Sequence, residues 1–376
     1  MPDFNRVDRE FLRTRAALKW GPWPDEVISL SVADMDFPPP DVIKDAVIRA
    51  VREDRTPYGA YGGDPDVLEV VCEKLNRANG IPATPEDVHM IPGTMFAIFL
   101  ACYYSLAPGD EALVCPSPVY PPFMENIKGV RGIAVHCSLR MQEGMRLDLD
   151  DLKSKITSRT RIIMLSNPNN PCGRVLTRRE LAGIAQIAEE NDLLVFSDEL
   201  YEDMIFDGEH ISIASLDRDM FERTITVFGF SKAYGIPSFR IAYIACRGRH
   251  MKALKKRLHG IIVHADTLAQ AAARAAILHG APWLSDFMAH LRRMRDYTAS
   301  RLNSIPGIEC PLPQATPFLF PDVSSLGVSG DRLAEILAEE AGVAVYGGSA
   351  YGPAGVNHIR INFATGMPIL KEAIDR

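Results

Sequence analysis

The most constraining feature of the sequence is an alternation of short apolar runs with longer amphipathic stretches. The apolar runs are typical of buried strands and lie at 111–116, 160–168, 193–199, 224–230 and 239–246. Between two of them, residues 177–192 have the apolar spacing of a helix, with Thr177 as the N-cap and Glu180 at capping-box distance. Strands that alternate with helices predict βαβ units, and therefore a mainly parallel sheet covered by helices on both faces.

The last hundred residues have a different pattern. A long amphipathic helix is predicted over 284–302, a strand over 316–323, a second helix over 330–342 and a final strand over 358–364, followed by a short closing helix. Such a mixture is typical of a smaller α+β domain beside the α/β domain.

Charge and composition exclude several classes of function. The 376 residues carry a formal net charge of −7, and no basic block stands out, so we expect no nucleic-acid partner. No apolar run approaches the roughly 20 residues that span a bilayer, and the first residues lack a signal-peptide core, so we expect a cytoplasmic protein without a membrane partner. The nine histidines show no HExxH pairing, and no metal site is predicted.

Polar residues follow the predicted strands. Because ligands sit outside the carboxyl ends of parallel strands, we expect these residues to meet at one edge of the sheet. They are Gly93 and Thr94 at a helix start, Asn170 in SNPNNPCG, Asp198 and Tyr201 in SDELY, and Ser231, Lys232 and Arg240 in SKAYGIPSFR. A helix N-terminus with a hydroxyl and an arginine suits a phosphate, and a buried lysine with a lowered pKa forms imines readily.

These segments also carry a resemblance to a known family. The set PGT (92–94), SPVYPPF (117–123), SNPNNPCGR (166–174), SDELY (197–201), SKAYGIPSFR (231–240) and HIRINFA (358–364) resembles the class I/II aminotransferases, which are pyridoxal 5'-phosphate (PLP) enzymes of fold type I. Order and spacing both match over essentially the whole chain. The resemblance implies a large PLP-binding α/β domain at 43–275 and a small α+β domain built from both chain ends, 1–42 and 276–376.

The resemblance also implies a role for each site residue and a homodimer with shared active sites. Lys232 forms the aldimine with PLP and then moves protons in a ping-pong transfer of the amino group from an L-α-amino acid to a 2-oxo acid. The other implied cofactor contacts are Asp198 at the pyridine nitrogen, Tyr201 and Asn170 at the ring oxygen, Tyr120 on the ring face, and Gly93, Thr94, Ser231 and Arg240 at the phosphate. Arg360 would bind the substrate carboxylate, with Ala33 and Asn170 beside it, and Tyr58 would reach the phosphate of the partner subunit.

A second branch of the same fold stays open at this stage. LKW (18–20), VADMDFPPP (32–40) and GGSAYGPAG (347–355) resemble the MalY/PatB cystathionine β-lyases, which expel a thiol from the β-carbon. Against that branch, the chain has Tyr201 where those lyases usually carry histidine, and it keeps Arg240. We therefore favour an aminotransferase, with a PLP-dependent C–S β-lyase as the alternative.

Two further expectations concern regulation and the substrate. A regulatory module that keeps PLP without turnover is a third reading, and a Lys232→Ala variant would distinguish it from an enzyme. No second arginine is placed against a distal carboxylate. Met35, Phe37 and Tyr61 suggest a substrate with an apolar or aromatic side chain. The N-terminal segment is expected to pack with the C-terminal domain and close over the substrate.

Overall fold

The structure is a computed structural model that describes residues 3–15 and 18–376. The helices, numbered in chain order, are α1 (Arg9–Arg15), α2 (Asp41–Arg52), α3 (Pro65–Arg77), α4 (Thr94–Ser105), α5 (Pro122–Gly129), α6 (Leu149–Ser154), α7 (Arg178–Glu190), α8 (Arg218–Arg223), α9 (Gly248–Leu258), α10 (Thr267–His279), α11 (Ala281–Asn303), α12 (Gly330–Glu340) and α13 (Met367–Asp375). The strands are β1 (Ile28–Ser29), β2 (Val88–Ile91), β3 (Glu111–Ser117), β4 (Ile133–Ser138), β5 (Thr160–Ser166), β6 (Leu194–Asp198), β7 (Thr224–Gly229), β8 (Ala242–Ala245), β9 (Phe318–Leu319), β10 (Val343–Ala344), β11 (Tyr346–Gly347) and β12 (Ile359–Asn362).

The central sheet has seven strands in the order β2-β8-β7-β6-β5-β3-β4. The pairs from β7 through β6, β5 and β3 to β4 are parallel, whereas β8 is antiparallel to both β7 and β2. The predicted mainly parallel sheet is therefore confirmed, with β8 as the reversed strand. Because of that reversal, the start of β8 lies at the same edge as the ends of its neighbours.

Helices cover both faces of this sheet. Apolar side chains of α4, α5 and α9 pack against one face, and those of α6 and α7 pack against the other. The predicted start of α7 is confirmed, since Thr177 Oγ1 accepts from the Glu180 amide at 3.2 Å and Glu180 Oε2 accepts from the Thr177 amide at 2.8 Å. This reciprocal capping satisfies two amides that the helix itself leaves without acceptors.

Two small sheets lie outside the central one. Strand β1 pairs in parallel with β10, and β12 pairs in antiparallel fashion with β11 and β9. The strand predicted over 316–323 is confined to Phe318–Leu319. Pro317 and Pro321 flank it, and a proline has no amide hydrogen to continue a ladder. The domain boundaries at 42/43 and 275/276 stay a prediction.

Among the helices in residues 3–15 and 18–376, none combines the length and the apolar character needed to cross a bilayer.

Candidate active site

A cleft of about 550 Å³ opens at the edge of the central sheet where β2, β5, β6 and β7 end and β8 begins. Each of these strands delivers a polar residue within a few positions of its end. The lining residues are Ala33, Thr94, Met95, Tyr120, Ser166, Asn170, Asp198, Leu200, Tyr201, Ser231, Lys232, Pro237 and Arg240. Nine of the twelve residues that the sequence predicts for the site line the cleft directly. The other three are Gly93, which precedes the lining residue Thr94, Arg360 and Tyr58.

Lys232 lies in the cleft just beyond the end of β7. Its Nζ donates a hydrogen bond to the carbonyl of Ala33 at 2.6 Å. The pKa of this lysine is lowered to about 8, mainly by burial and also by the charges of Arg360 and Arg240, while the charge of Asp34 opposes the shift. A lysine with such a pKa is partly neutral near pH 8 and can act as a nucleophile or a base.

Asp198 ends β6 and is also buried in the cleft. Burial raises its pKa to about 7, and the neighbouring carboxylate of Glu199 raises it further, while a hydrogen bond from the Leu200 amide at 3.2 Å lowers it. Glu199 points away into its own set of donors, namely Ser197 Oγ at 2.8 Å, Ser212 Oγ at 2.9 Å and His210 Nε2 at 2.8 Å. No cation among the described residues forms an ion pair with Asp198, although the charge of Lys232 lowers the pKa of Asp198 somewhat.

The corner of the cleft around Arg240 is suited to an anion. Helix α4 begins there with Gly93 as its N-cap, which supplies no side-chain cap to the first amides of the helix. Gly93 has φ of 89°, and a Cβ at this position would lie 2.5 Å from Arg240 Nη2. Glycine is thus required both for the backbone conformation and for the approach of the guanidinium. Free helix amides, the guanidinium and Ser231 together form a positive, donor-rich corner.

Arg360 on β12 lies beside the cleft and is 2% exposed. Its Nη1 donates to Asn170 Oδ1 at 3.2 Å and its Nη2 donates to the Ser31 carbonyl at 2.8 Å. Its Nε is buried and has no hydrogen-bond partner among the residues described. The guanidinium carbon lies 4.3 Å from the ring centroid of Phe318, which is a cation–π distance. A buried arginine with an unused donor is well suited to a planar carboxylate.

The tyrosines of the site differ in their surroundings. Tyr201 is buried and packs edge-on against Phe318 with ring centroids 5.7 Å apart, and burial raises its pKa well above the ordinary value. Tyr120 lines the cleft, its hydroxyl lies 3.5 Å from Met95 Sδ, and burial also raises its pKa.

Three aromatic residues expected at the site lie elsewhere in the chain. The prediction that Phe37 faces the substrate is wrong, because its side chain is buried in an aromatic cluster with Phe4, Phe287 and His290. Tyr61 is likewise wrong for this protomer, since its hydroxyl bonds the Lys255 carbonyl outside the cleft. Tyr58 is 87% exposed and does not line the cleft of its own chain. Its predicted contact with a partner subunit stays a prediction.

Other residues of the site were not predicted. Tyr346 and Tyr351 flank Arg360, with centroids 5.2 and 5.3 Å from its guanidinium carbon. Tyr351 lies in the GGSAYGPAG segment that the sequence singles out, so a signal for it exists. Met95, Leu200 and Pro237 also line the cleft. Leu200 and Pro237 lie within the SDELY and SKAYGIPSFR segments and Met95 directly follows PGT, but an apolar side chain in such a segment does not itself indicate a contact with the site.

The donors of the cleft fit PLP. The corner formed by Gly93 and Arg240 can hold the phosphate of PLP. The carboxylate of Asp198 can pair with a protonated pyridine nitrogen, and Lys232 is an amine of lowered pKa. The fold and the cleft therefore define a PLP-dependent enzyme of fold type I.

Comparison with known proteins identifies the family. The family profile of Aminotransferase class I and II matches residues 25–376, and the chain belongs to this family. An aspartate aminotransferase of Pyrococcus abyssi is 34% identical over 355 residues, covering 93% of this chain and 90% of that protein. The crystal structure of an aromatic aminotransferase from Pyrococcus horikoshii OT3 superposes with a TM-score of 0.89 at 33% identity, covering 97% of this chain and 96% of the other. A PLP-bound protein of Clostridium difficile 630 superposes with a TM-score of 0.91 at 27% identity, covering 100% and 98%.

The protein is thus a PLP-dependent aminotransferase acting on amino acids and 2-oxo acids. The chain shares some sequence segments with the MalY/PatB branch but does not belong to that branch, because similar proteins such as the Pyrococcus enzymes named above are aminotransferases. That part of the sequence-based interpretation is wrong. The segments that suggested it, LKW and VADMDFPPP, are joined to each other by hydrogen bonds from Lys19 and Trp20 to Asp34 and Asp36.

Proposed function

We propose that this enzyme transfers the amino group of an L-α-amino acid with an apolar or aromatic side chain to a 2-oxo acid. The observation that carries the proposal is the meeting of Lys232, Asp198 and Arg360 at one cleft, where Asp198 and Arg360 are buried and Lys232 is half-buried. PLP, when bound, supplies an electron sink that weakens the bond between the substrate Cα and its hydrogen. Lys232 Nζ takes that proton and returns it, since no other lysine among the described residues lines the cleft.

The surrounding residues hold the cofactor and orient it. Asp198 would hold the pyridine nitrogen of PLP, Tyr201 and Asn170 would bind the ring oxygen, and Tyr120 would hold the face of the ring; all four residues line the cleft. Gly93, Thr94, Ser231 and Arg240 hold the phosphate through the helix N-terminus and the guanidinium. The geometry at Gly93, where Arg240 occupies the space of an absent Cβ, supports this assignment most directly.

The α-carboxylate of the substrate is assigned to Arg360. Its position is fixed by Asn170, by the Ser31 carbonyl and by the aromatic rings around it, so the side chain needs no ordering when the substrate arrives. Preorganisation of this kind reduces the entropic cost of binding. Ala33, whose carbonyl already contacts Lys232, forms the neighbouring wall.

The side chain of the substrate is inferred from the remaining walls. Met95, Leu200 and Pro237 are apolar, and Lys232 and Arg240, the cations among the described lining residues, both have roles assigned above. The charge of Asp34 acts on Lys232 and would repel a second carboxylate nearby. An apolar or aromatic side chain is therefore favoured over that of aspartate.

A homodimer with shared active sites is part of the proposal. Exposed apolar residues continue from the cleft over α4 to its neighbours, and Tyr58, Met95, Tyr103, Ile261 and Val263 all belong to this group. Arg257 of α9 lies over the ring of Tyr103 on α4, and Tyr58 packs against His264 in the segment after α9. Exposed apolar surface beside an active site is typical of a subunit interface.

A single-turnover assay tests the proposed reaction. The PLP holoenzyme is mixed with a panel of L-amino acids, including phenylalanine, tyrosine, leucine and aspartate, with no 2-oxo acid acceptor. We expect about one equivalent of 2-oxo acid per site, with the cofactor left as pyridoxamine phosphate, and the fastest reaction with an aromatic or apolar donor. A clear preference for aspartate would overturn the substrate class. Continuing release of product and ammonia would overturn the transfer itself.

A further inference from the structure

Lys19 and Asp36 form an ion pair in which both side chains are 0% exposed. Lys19 Nζ donates to Asp36 Oδ1 at 3.0 Å and to the carbonyl of Asp34 at 3.1 Å. The indole N–H of Trp20 donates to the same Asp36 oxygen at 2.8 Å. The pair therefore joins the LKW segment, which has no role in the proposed chemistry, to the loop that contains Ala33.

Stability alone does not explain this pair. Taking two charges out of water costs about as much as their attraction returns, and well-packed apolar residues often replace such pairs without loss. Asp36 Oδ2 is buried and has no partner among the residues described, so the pair is not even fully satisfied. Its hydrogen bonds do, however, fix the backbone between Asp34 and Asp36.

The same loop is held from its other side by β12 and the residues after it. Asn362 Nδ2 donates to the carbonyls of Val32 at 2.6 Å and Asp34 at 2.8 Å. The Asp36 amide donates to the Ala364 carbonyl at 3.1 Å. The Asp34 carbonyl thus accepts from both Lys19 and Asn362. Between these fixed points, the carbonyl of Ala33 accepts from Lys232 Nζ.

On the basis of the role proposed above for Lys232, we propose that Lys19 is a positioning residue of the active site. Through Asp36 and the Asp34 carbonyl it fixes residues 31–37, which we call the clamp loop. The clamp loop in turn directs Lys232 Nζ through the Ala33 carbonyl, and it carries Ser31, which bonds Arg360. Displacement of such a support by about 1 Å can lower the rate of a reaction about a hundredfold.

Two variants separate positioning from stability. Lys19→Met removes one charge and leaves Asp36 buried without its partner, so both stability and activity should fall. The double variant Lys19→Met/Asp36→Leu replaces the pair with apolar groups and should recover most of the stability, as replaced buried pairs often do. Lys44→Met is the control, because Lys44 pairs with Asp41 on the nearby surface and not with the clamp loop.

Each protein is characterised by its unfolding midpoint in urea, its steady-state kcat and KM, and the pH midpoint of the visible absorption of bound PLP. Hydrogen exchange of the amides of residues 31–37 is followed in the apo-protein. We expect the double variant to keep a kcat about tenfold to a hundredfold below wild type, a shifted pH midpoint and faster exchange in the clamp loop, despite a nearly normal urea midpoint. Lys44→Met should match wild type in all of them.

Recovery of kcat and of the pH midpoint together with stability in the double variant would overturn the proposal, since the pair would then be merely structural. If Lys19→Met does not fold, the double variant still decides the question. Failure of the wild-type protein to bind PLP through Lys232 is a different outcome, because it would refute the proposed role of Lys232 directly.

Discussion

At the scale of single residues, the cleft is defined by two side chains whose pKa values shift in opposite senses. Burial disfavours the charged form of any group, so it raises the pKa of Asp198 to about 7 and lowers that of Lys232 to about 8. Both groups are thus poised near neutral pH, where proton transfer is most useful. The protonated pyridine nitrogen of PLP would supply the positive charge that Asp198 lacks.

The pKa of Asp198 predicts how the stability of the apo-protein depends on pH. An acid whose pKa is raised on folding adds stability that is full below pH 4 and is lost as the pH rises to about 7, by up to about 4 kcal/mol. Unfolding by urea at pH 4.5, 6.0 and 7.5, at one protein concentration, should show this decline in wild type and a smaller decline in Asp198→Asn. Equal declines in the two proteins would contradict the prediction.

Many residues of the site could be predicted because their spacing along the chain is distinctive. Lys232 and Arg240 are eight residues apart in a segment of small and apolar residues, and Asp198 directly ends an apolar strand. Phe37 and Tyr61 were placed wrongly, because sequence near a site does not give the direction of a side chain. The pairing of Lys19 with Asp36 could not be predicted either, since it depends on a turn that brings two motifs together.

At the scale of elements, the reversal of β8 is what brings Arg240 to the cleft. Ala242 pairs with both Ile91 and Gly229, which end β2 and β7, so Arg240, two residues before β8, lies near their carboxyl ends. The apolar runs of the sequence predict where the strands lie. A run has the same pattern whether its strand is parallel or antiparallel to its neighbours, so the sequence does not give the strand direction. The strand direction, and hence the place of Arg240, required the tertiary structure.

Gly93→Ala tests the contact between the start of α4 and Arg240. The added methyl would meet Arg240 Nη2 at 2.5 Å, so the guanidinium must move and the affinity for PLP should fall about tenfold or more. Gly109→Ala is the matched control, because Gly109 has a nearly identical φ of 88° with no atom within 4 Å of the added carbon. Both variants should lose about 1 kcal/mol of stability to backbone strain.

The dissociation constant of PLP is measured for both variants by fluorescence titration of the apo-protein. An unchanged constant in Gly93→Ala, or an equal loss of affinity in Gly109→Ala, would show that the close approach to Arg240 does not matter for binding.

At the scale of the whole molecule, the position of Tyr58 argues for a second subunit. A tyrosine that is 87% exposed gains little from its ring in an isolated chain, yet it stands in the loop that adjoins the apolar group beside the cleft. Helix α4 has its N-terminus in the cleft and exposes Tyr103 near its other end. An interface on this face would therefore adjoin both active sites of a twofold dimer.

Mixing two inactive variants tests whether the active sites are shared. Lys232→Ala lacks the reacting amine, and Tyr58→Phe lacks the hydroxyl proposed to reach the partner's phosphate. In a heterodimer of the two, one site combines an intact Lys232 with an intact Tyr58 from the other subunit, while the second site lacks both. Random reassociation after mild denaturation should then restore about a quarter of wild-type activity, because half of the dimers carry one complete site.

Each variant alone, taken through the same denaturation and reassociation, is the control, and light scattering reports the mass. If Tyr58 served its own protomer, no mixed dimer would contain a complete site, and activity would stay at the average of the two variants. If the protein is monomeric, activity will not recover either, and the monomeric mass will refute the dimer itself. Recovery near one quarter, with a dimeric mass, requires that one active site draws on two chains.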